Sequence, residues 1–410
     1  MSVFEFFKRN SSFTLVWLGQ ILSQSGARMY QLAIVWWIVS SSAGGAGKEV
    51  GLFMVAVALP SILLSRKIGR LVDSRSRQWL LVTSDAGVSV LLGLSNLVVR
   101  EWGTHYFFLL GVGALGACFQ CVIDPTLNKS LQELIAKSPH QASDLERGVA
   151  LLTTTQSLAN FGGAVLGAVA IAGLGLANVL LMACVFYFLA SRLSKKAGFS
   201  EASQDTVSPE ESGWKFLSQF PLLKKTVVGF GAVNFFGTPT LVVLPLYARQ
   251  VLGSDAKELG LLEATLWIGL LSGALASRWV SHQVSQLKVT RFCLFGFSGA
   301  LFVASLIPQM GIYALVLFSI GAALGINNVK FLSLFQEIVP GPVKGRFFSA
   351  LQAVIGFTFP VAYFVFGFLS DVISVQKVCL VQGVGILSLS FYFGWLQLQM
   401  EKGKMKWESV

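Results

Sequence analysis

The sequence predicts an all-α polytopic membrane protein of twelve transmembrane helices, arranged as two pseudo-symmetric bundles of six. Three observations carry that expectation. Of 410 residues, 54% are hydrophobic and only 12% charged, whereas a soluble domain needs charge to solvate its surface. Apolar runs near the ~20 residues that cross a hydrocarbon core of about 30 Å recur along the whole chain. One polar stretch, Glu201 to Gly213 (EASQDTVSPEESG), separates the runs into two sets of six.

Apolar periodicity, punctuated by charge, proline and glycine, places the first six spans near 12–40, 50–68, 78–98, 104–124, 148–173 and 175–194. The second six lie near 226–249, 257–279, 288–308, 312–336, 346–370 and 375–398. The domains expected are a first bundle over 1–197, a central cytoplasmic loop over 198–222, a second bundle over 223–400 and a tail over 401–410. The first run follows KRN and passes Trp37 without a small-residue cleavage site, so a retained span is expected, not a signal peptide.

Of the 31 Lys and Arg residues, 25 fall on the side of the two termini, five on the opposite side, and Arg28 inside a span. Basic residues near span ends stay preferentially cytoplasmic, so both termini are expected inside an inner or plasma membrane. Spread over seven segments, the net charge of +11 reads as an orientation signal and a contact with anionic lipid, not a nucleic-acid groove.

Chemistry-bearing clusters are not evident. The five cysteines, Cys118, Cys121, Cys184, Cys293 and Cys379, all sit in apolar stretches and read as small core residues. Cys118 and Cys121 have C-x-x-C spacing but no histidine or second pair to complete a metal site. His105, His140 and His282 are scattered near span ends. A membrane-embedded enzyme would need a nucleophile and base, or a metal cluster, inside the spans; no catalytic residue, metal or cofactor is expected.

Polar side chains within spans are the informative exceptions. On span 1, Gln20, Gln24, Arg28 and Gln31 recur at i, i+4, i+8 and i+11, within a face roughly 80° wide. An arginine at membrane depth costs about 2.5–3.5 kcal/mol on the insertion scale, so this stripe should face a water-filled cavity or the protein interior. Glu263 lies about 9 Å below one boundary in span 8, and Arg28 about 24 Å up span 1, which are compatible depths. Glu263 reads either as a protonatable carboxylate governed by Arg28 and cavity hydration, or as a static ion pair or interface carboxylate. Asp85, about 10 Å from the inner end of span 3, suits a structural role.

The two halves repeat weakly. Residues 144–167 and 341–367 each open a span from a short charged turn, after the segments SLQELI and LFQEIV. Between spans 2 and 3 runs GRLVDSRSRQWLL, Gly69 to Leu81, in which Gly69 allows close helix approach and Asp73 can accept backbone N–H groups at a helix N-terminus. Arg75 and Arg77 can pair with acids.

That loop resembles motif A of the major facilitator superfamily, G-x-x-x-D-R-x-G-R-R/K. Gly69, Asp73 and Arg77 match, and Ser74, Ser76 and Gln78 depart from it. The resemblance implies a cytoplasmic latch in which Asp73 caps the helix beginning near Gly345 and Arg346 and Arg77 pairs with Asp124; in the second half Ser281 stands where Asp73 would fall. WLGQILSQSGARMYQLAIVWW, Asp85 in LLVTSDAG, residues 234–275 and LFQEIVPGPVKGRFFSA are similar to the macrolide-efflux type of drug/proton antiporter. That branch often carries an acid after the glycine of span 1, where Ala27 and Arg28 follow Gly26, and a proline in span 5 where Gly163 stands.

The resemblance implies the major facilitator fold and a monomeric secondary transporter. Such a protein would export a lipophilic or amphipathic, drug- or macrolide-like molecule by alternating access, with protons as coupling ion and lipids as surroundings. Arg28 and Glu263 would be its charged cavity groups. Substrate contacts would come from the equivalents of spans 1, 4, 7 and 10: Gln24, Gln31 and Gln120 in the first half, and Asn234, Phe235, Thr238, Asn327 and Asn328 in the second. Alternatives on the same scaffold are a dedicated exporter or flippase of a natural product, siderophore or lysolipid, and a transport-inactive sensor.

Overall fold

The computed structural model describes residues 3–42, 45–135, 141–199, 221–280, 285–339 and 341–402. The polar segment Glu201–Gly213 and Ser281 lie outside them, as does the side chain of Arg346. The chain forms two compact units, Met1–Ile38 with Ala56–Thr206, and Val39–Val55 with Val207–Val410.

The first unit begins with a short helix, α1 (Val3–Arg9), and then α2 (Ser11–Ser41). α1 is absent from the span pattern because seven residues are too few to cross a bilayer. It buries Phe6 edge-on against Phe13, with ring centroids 5.4 Å apart, in a cluster with Val16, Leu127 and Leu131. α3 (Ala46–Leu63) follows, then α4 (Ser65–Ser74). The stretch holding Gly69 and Asp73 is therefore largely helical, not a loop. Leu64, Ile68, Leu71 and Val72 make one apolar face, packed on Leu80 and Val122, and the basic residues take the other.

α5 (Arg77–Trp102) starts at an N-cap, Ser76, whose hydroxyl accepts from the Trp79 amide at 3.2 Å. α6 (Tyr106–Gln120) and α7 (Ile123–Ile135) form one bent span, broken at Cys121–Val122. α8 (Gln141–Lys196) holds two spans, since the backbone leaves the helix at Gly175 (φ +75°, ψ 169°), where glycine alone adopts the conformation without strain. Gln78 closes the far end of α8: its amide donates to the carbonyls of Lys195 at 2.9 Å and Ala197 at 2.8 Å. The departure from the basic residue of motif A thus has a local role in satisfying helix-end carbonyls.

The second unit comprises α9 (Pro221–Gly237), α10 (Thr240–Leu246) with a π-helical turn (Tyr247–Val251), and α11 (Ala256–Ala276). α12 (Gln286–Leu306), α13 (Met310–Ile338), α14 (Gly341–Val372) and α15 (Val375–Glu401) complete it. α9 and α10 are one span interrupted at Pro239, which lacks a backbone donor. Asp255 and Glu258 form a reciprocal capping box at the start of α11. Gly269 and Gly273 on α11 meet Gly321 and Gly325 on α13 with backbone against backbone, a small-xxx-small crossing suited to a membrane, where apolar burial gives helices no preference for each other over lipid.

This unit also takes in the first part of α3. Asp371, near the end of α14, accepts from the Gly47 and Lys48 amides at 2.9 and 2.8 Å, capping the α3 N-terminus. Behind the cap, Gly47 and Gly51 lie directly on Gly367 and the Tyr363 carbonyl. The second span consequently starts at Ala46 rather than near residue 50, because the donors of its first turn are satisfied by a partner 324 residues away.

Among the described residues, ten stretches are long and apolar enough to cross a bilayer. α2, 31 residues long, falls outside that set because its polar stripe lowers its hydropathy. With α2 added and α8 counted twice across Gly175, all twelve expected spans are present.

Candidate functional site

The polar stripe of α2 is met by a second stripe on α8. Gln156, Asn160, Gly163 and Gly167 recur at i, i+4, i+7 and i+11, within roughly 60° of one another. The two glycines set the distance between the helices. A Cβ at Gly163 would lie 2.6 Å from the Ser25 carbonyl oxygen, and one at Gly167 would lie 3.0 Å from Met29 Cα. Glycine in place of the proline expected at 163 therefore brings α8 onto the α2 backbone, and Asn160 and Gln156, about one and two turns earlier, share a cavity wall with Gln24 and Arg28. On another side of α2, Gly26 packs against Phe186 and Tyr187 of α8.

The cavity between these helices has a volume of about 180 Å³. Its α2 wall consists of Gln20, Ser23, Gln24, Ala27, Arg28 and Gln31. The bend between α6 and α7 contributes Gln120, Ile123 and Asp124; α8 contributes Gln156, Asn160 and Tyr187. Six carboxamides, one guanidinium and one carboxylate thus surround a space far smaller than the ~300–1,000 Å³ of a whole drug-sized pocket. It is suited to one polar group of a larger molecule.

The polar groups of this wall differ in their bonding. Gln120 Nε2 donates to the hydroxyl of buried Tyr30 at 2.8 Å, which sets the orientation of that amide. Gln20 is fully buried, yet neither its amide nitrogen nor its oxygen has a hydrogen-bond partner among the described residues; nor does Gln24 Oε1. A buried polar atom left so costs about 1–3 kcal/mol, and folded proteins satisfy nearly all of them.

The remaining sequence-derived candidates are distributed as follows. Asp73 forms an ion pair with Lys129 of α7, inside its own unit. Gly69, read as a point of close approach, has open space where its Cβ would be, because α4 turns its apolar face inward and Gly69 outward. Arg77 opens α5, and Asp124 faces the cavity. Asp85 is fully buried in α5, and neither carboxyl oxygen has a hydrogen-bond partner among the described residues.

In the second unit Glu263 is buried in α11 at 2% exposure, whereas Arg28 belongs to the first unit. Asn234 Nδ2 donates to the Phe230 carbonyl at 2.9 Å, one turn back on its own helix. Phe235 stacks edge-on with Phe236 and Phe366, and Thr238 continues the backbone bonding of α9. Asn327 is buried with both amide atoms without a partner among the described residues, and Asn328 is exposed. Ser23, Gln156, Asn160 and Tyr187 are the polar wall residues the sequence reading missed. The i, i+4 spacing of Gln156 and Asn160 ahead of two glycines was the available signal.

A larger cleft, about 550 Å³, lies between α12 and α13. Phe292, Ile312 and Leu315 line it, and the one hydroxyl there, Ser319, bonds its own helix at the Leu315 carbonyl. Exposed Phe292, Phe295 and Leu315 make this an apolar surface of the kind that lipid chains cover. Among the described residues no His, Cys, Asp and Glu are grouped so as to hold a metal ion.

Residues 3–407 match the family model MFS_3, transmembrane secretion effector. The chain is 24% identical over 371 residues to the uncharacterized MFS-type transporter YfiS of Bacillus subtilis (strain 168), covering 85% of this chain and 84% of that protein. A second protein of that strain, the uncharacterized MFS-type transporter YfmI, is 22% identical over 268 residues, 62% of this chain and 64% of its own length. Among solved structures, the nucleoside transporter NupG superposes with TM-score 0.74 at 11% identity, covering 93% of this chain and 99% of NupG. A bacterial homologue of the iron transporter ferroportin gives 0.72 at 15% identity, over 97% of this chain and 99% of its own. At such identities the superpositions establish the fold.

Proposed function

The chain belongs to the transmembrane secretion effector family of major facilitator transporters, and we propose that within it this protein exports a lipophilic or amphipathic small molecule by alternating access, in exchange for protons. One observation carries the reading: a cavity with a polar wall supplied by α2, α6–α7 and α8 lies within a bundle of apolar helices. Polar walls of that kind are retained inside membrane bundles for passage of a solute. The family's description as a secretion effector supports the outward direction. The bias of 25 basic residues to five supports cytoplasmic termini and residence in an inner or plasma membrane.

Glu263 is the carboxyl through which protons would act. It is buried in a membrane-spanning helix, where gain or loss of a proton changes the energy of burial by much more than at a surface. An access state that favours the protonated form is then populated by proton binding, as coupled exchange requires. Arg28 is the charged cavity group whose influence on the substrate or on Glu263 would change between states, and Asp73 with Arg77 would serve the latch between them.

Accumulation of a panel of amphipathic compounds in cells with and without the protein tests export, repeated after the proton gradient is collapsed. Lower accumulation that returns to the control level on collapse is expected. Gradient-independent export removes the proton exchange. In reconstituted vesicles, Glu263→Gln is expected to lose gradient-driven export; full retention removes Glu263 from the coupling. No change for any compound favours the second reading, a dedicated exporter or flippase, which the carboxamide-rich wall also suits.

A further inference from the structure

The chemistry of the cavity wall narrows the substrate further. Carboxamides recognise groups that present donors and acceptors side by side, because each offers two N–H donors and an oxygen with two lone pairs. The wall holds six of them, and the orphaned atoms of Gln20 and Gln24 include both a donor and acceptors. Its formal charge sums to zero, one positive from Arg28 and one negative from Asp124. A ligand group of net charge would add an uncompensated charge to a space within a bundle of membrane-spanning helices, whereas an uncharged group adds none. The space of about 180 Å³ admits a head group, not a whole amphiphile.

We propose that the first unit binds an uncharged, hydrogen-bonding head group, hydroxyl-rich or amide-rich, on an otherwise apolar substrate, with Gln20 and Gln24 as specificity-determining residues. This rests on the export reading above and supplies its substrate class. Lipophilic cations, the substrates a net acidic cavity would select, are disfavoured. Among the described residues Gln20 has no hydrogen bond to lose: a leucine of similar shape removes two buried polar atoms that have no partner there, so the fold keeps or gains stability while the ligand loses its partner.

The test uses four synthetic amphiphiles with one alkyl tail and different heads: a glucoside, an uncharged dipeptide amide, a trimethylammonium and a carboxylate. Each is assayed for a shift in melting temperature of the detergent-solubilised full chain, and for export from vesicles holding the wild type. The glucoside or the dipeptide amide is expected to bind at least tenfold tighter than either charged head, and the stronger of the two tells hydroxyl from amide recognition. Gln20→Leu and Gln24→Leu are expected to weaken that binding by about 2- to 12-fold for each hydrogen bond lost. Gln20→Leu should melt no lower than wild type without ligand.

Preference for a charged head, no binding of either uncharged head, or binding indifferent to both glutamine substitutions overturns the proposal. Binding of an uncharged head without its export upholds the site and refutes the export reading. Export of the charged heads alone does the reverse.

Discussion

Replacing Gly325 with alanine would place a Cβ 2.1 Å from the Leu270 carbonyl oxygen on α11, and the neighbouring Gly321 would place one 2.2 Å from the Leu266 oxygen. Carbon and oxygen do not approach closer than about 3.0 Å without strain, so the crossing must open by about 1 Å. Neither side can yield by rotating a side chain, because both are backbone. Forced expansion of a packed contact typically costs about 1–3 kcal/mol. At about 2–4 °C per kcal/mol for a unit of this size, Gly325→Ala should melt roughly 2–12 °C below wild type. The assay is heating of the detergent-solubilised chain followed by size-exclusion detection of the remaining monodisperse protein. Gly299→Ala on α12 is the control: nothing lies within 4 Å of its added Cβ, and alanine is the better helix former, so its melting temperature should stay level or rise. Equal effects of the two substitutions would refute the close α11–α13 crossing.

Two further outcomes follow from single contacts. Asp371→Ala removes both acceptors of the Gly47 and Lys48 amides and should lower stability by about 0.5–2 kcal/mol, with Asp371→Asn losing less; amide hydrogen exchange should quicken at residues 47 and 48 and not at mid-helix positions. Gln78→Ala frees the carbonyls of Lys195 and Ala197 and should lower stability by about 0.5–1.5 kcal/mol. Gln78→Lys, which restores the basic residue of the superfamily motif and can still donate to those carbonyls, should recover most of the loss in the same melting assay.

What was legible in the sequence was whatever depends on neighbours within one helix. Hydropathy marks the spans because every membrane-crossing segment must satisfy its own backbone, and the α2 stripe is visible because 3.6-residue periodicity places Gln20, Gln24, Arg28 and Gln31 on one face. The break at Gly175 falls at the first residue of the span expected at 175–194, just after the one expected at 148–173. Features set by a partner far along the chain were not legible. The start of α3 depends on Asp371, and the role of Gly163 depends on which backbone lies opposite, here that of Ser25. Gln156 and Asn160 seemed ordinary until those glycines brought α8 onto α2. α4 escaped notice because ten residues with basic and apolar faces resemble a charged connecting loop in a hydropathy profile. Gly69 fits a motif by spacing, yet spacing alone says nothing of whether a neighbour is present.

The central claim is that the cavity between α2, α6–α7 and α8 is where the polar head of the transported molecule is held. Ala27 is an apolar part of its wall, so Ala27→Phe fills the space while leaving every polar group in place. Export of the amphiphile panel from cells carrying this variant, normalised to the amount of correctly folded protein in the membrane, is the direct measurement. A fall of tenfold or more for every compound exported by the wild type is the predicted result. Export at the wild-type rate, with the variant folded and the cavity filled, would contradict it.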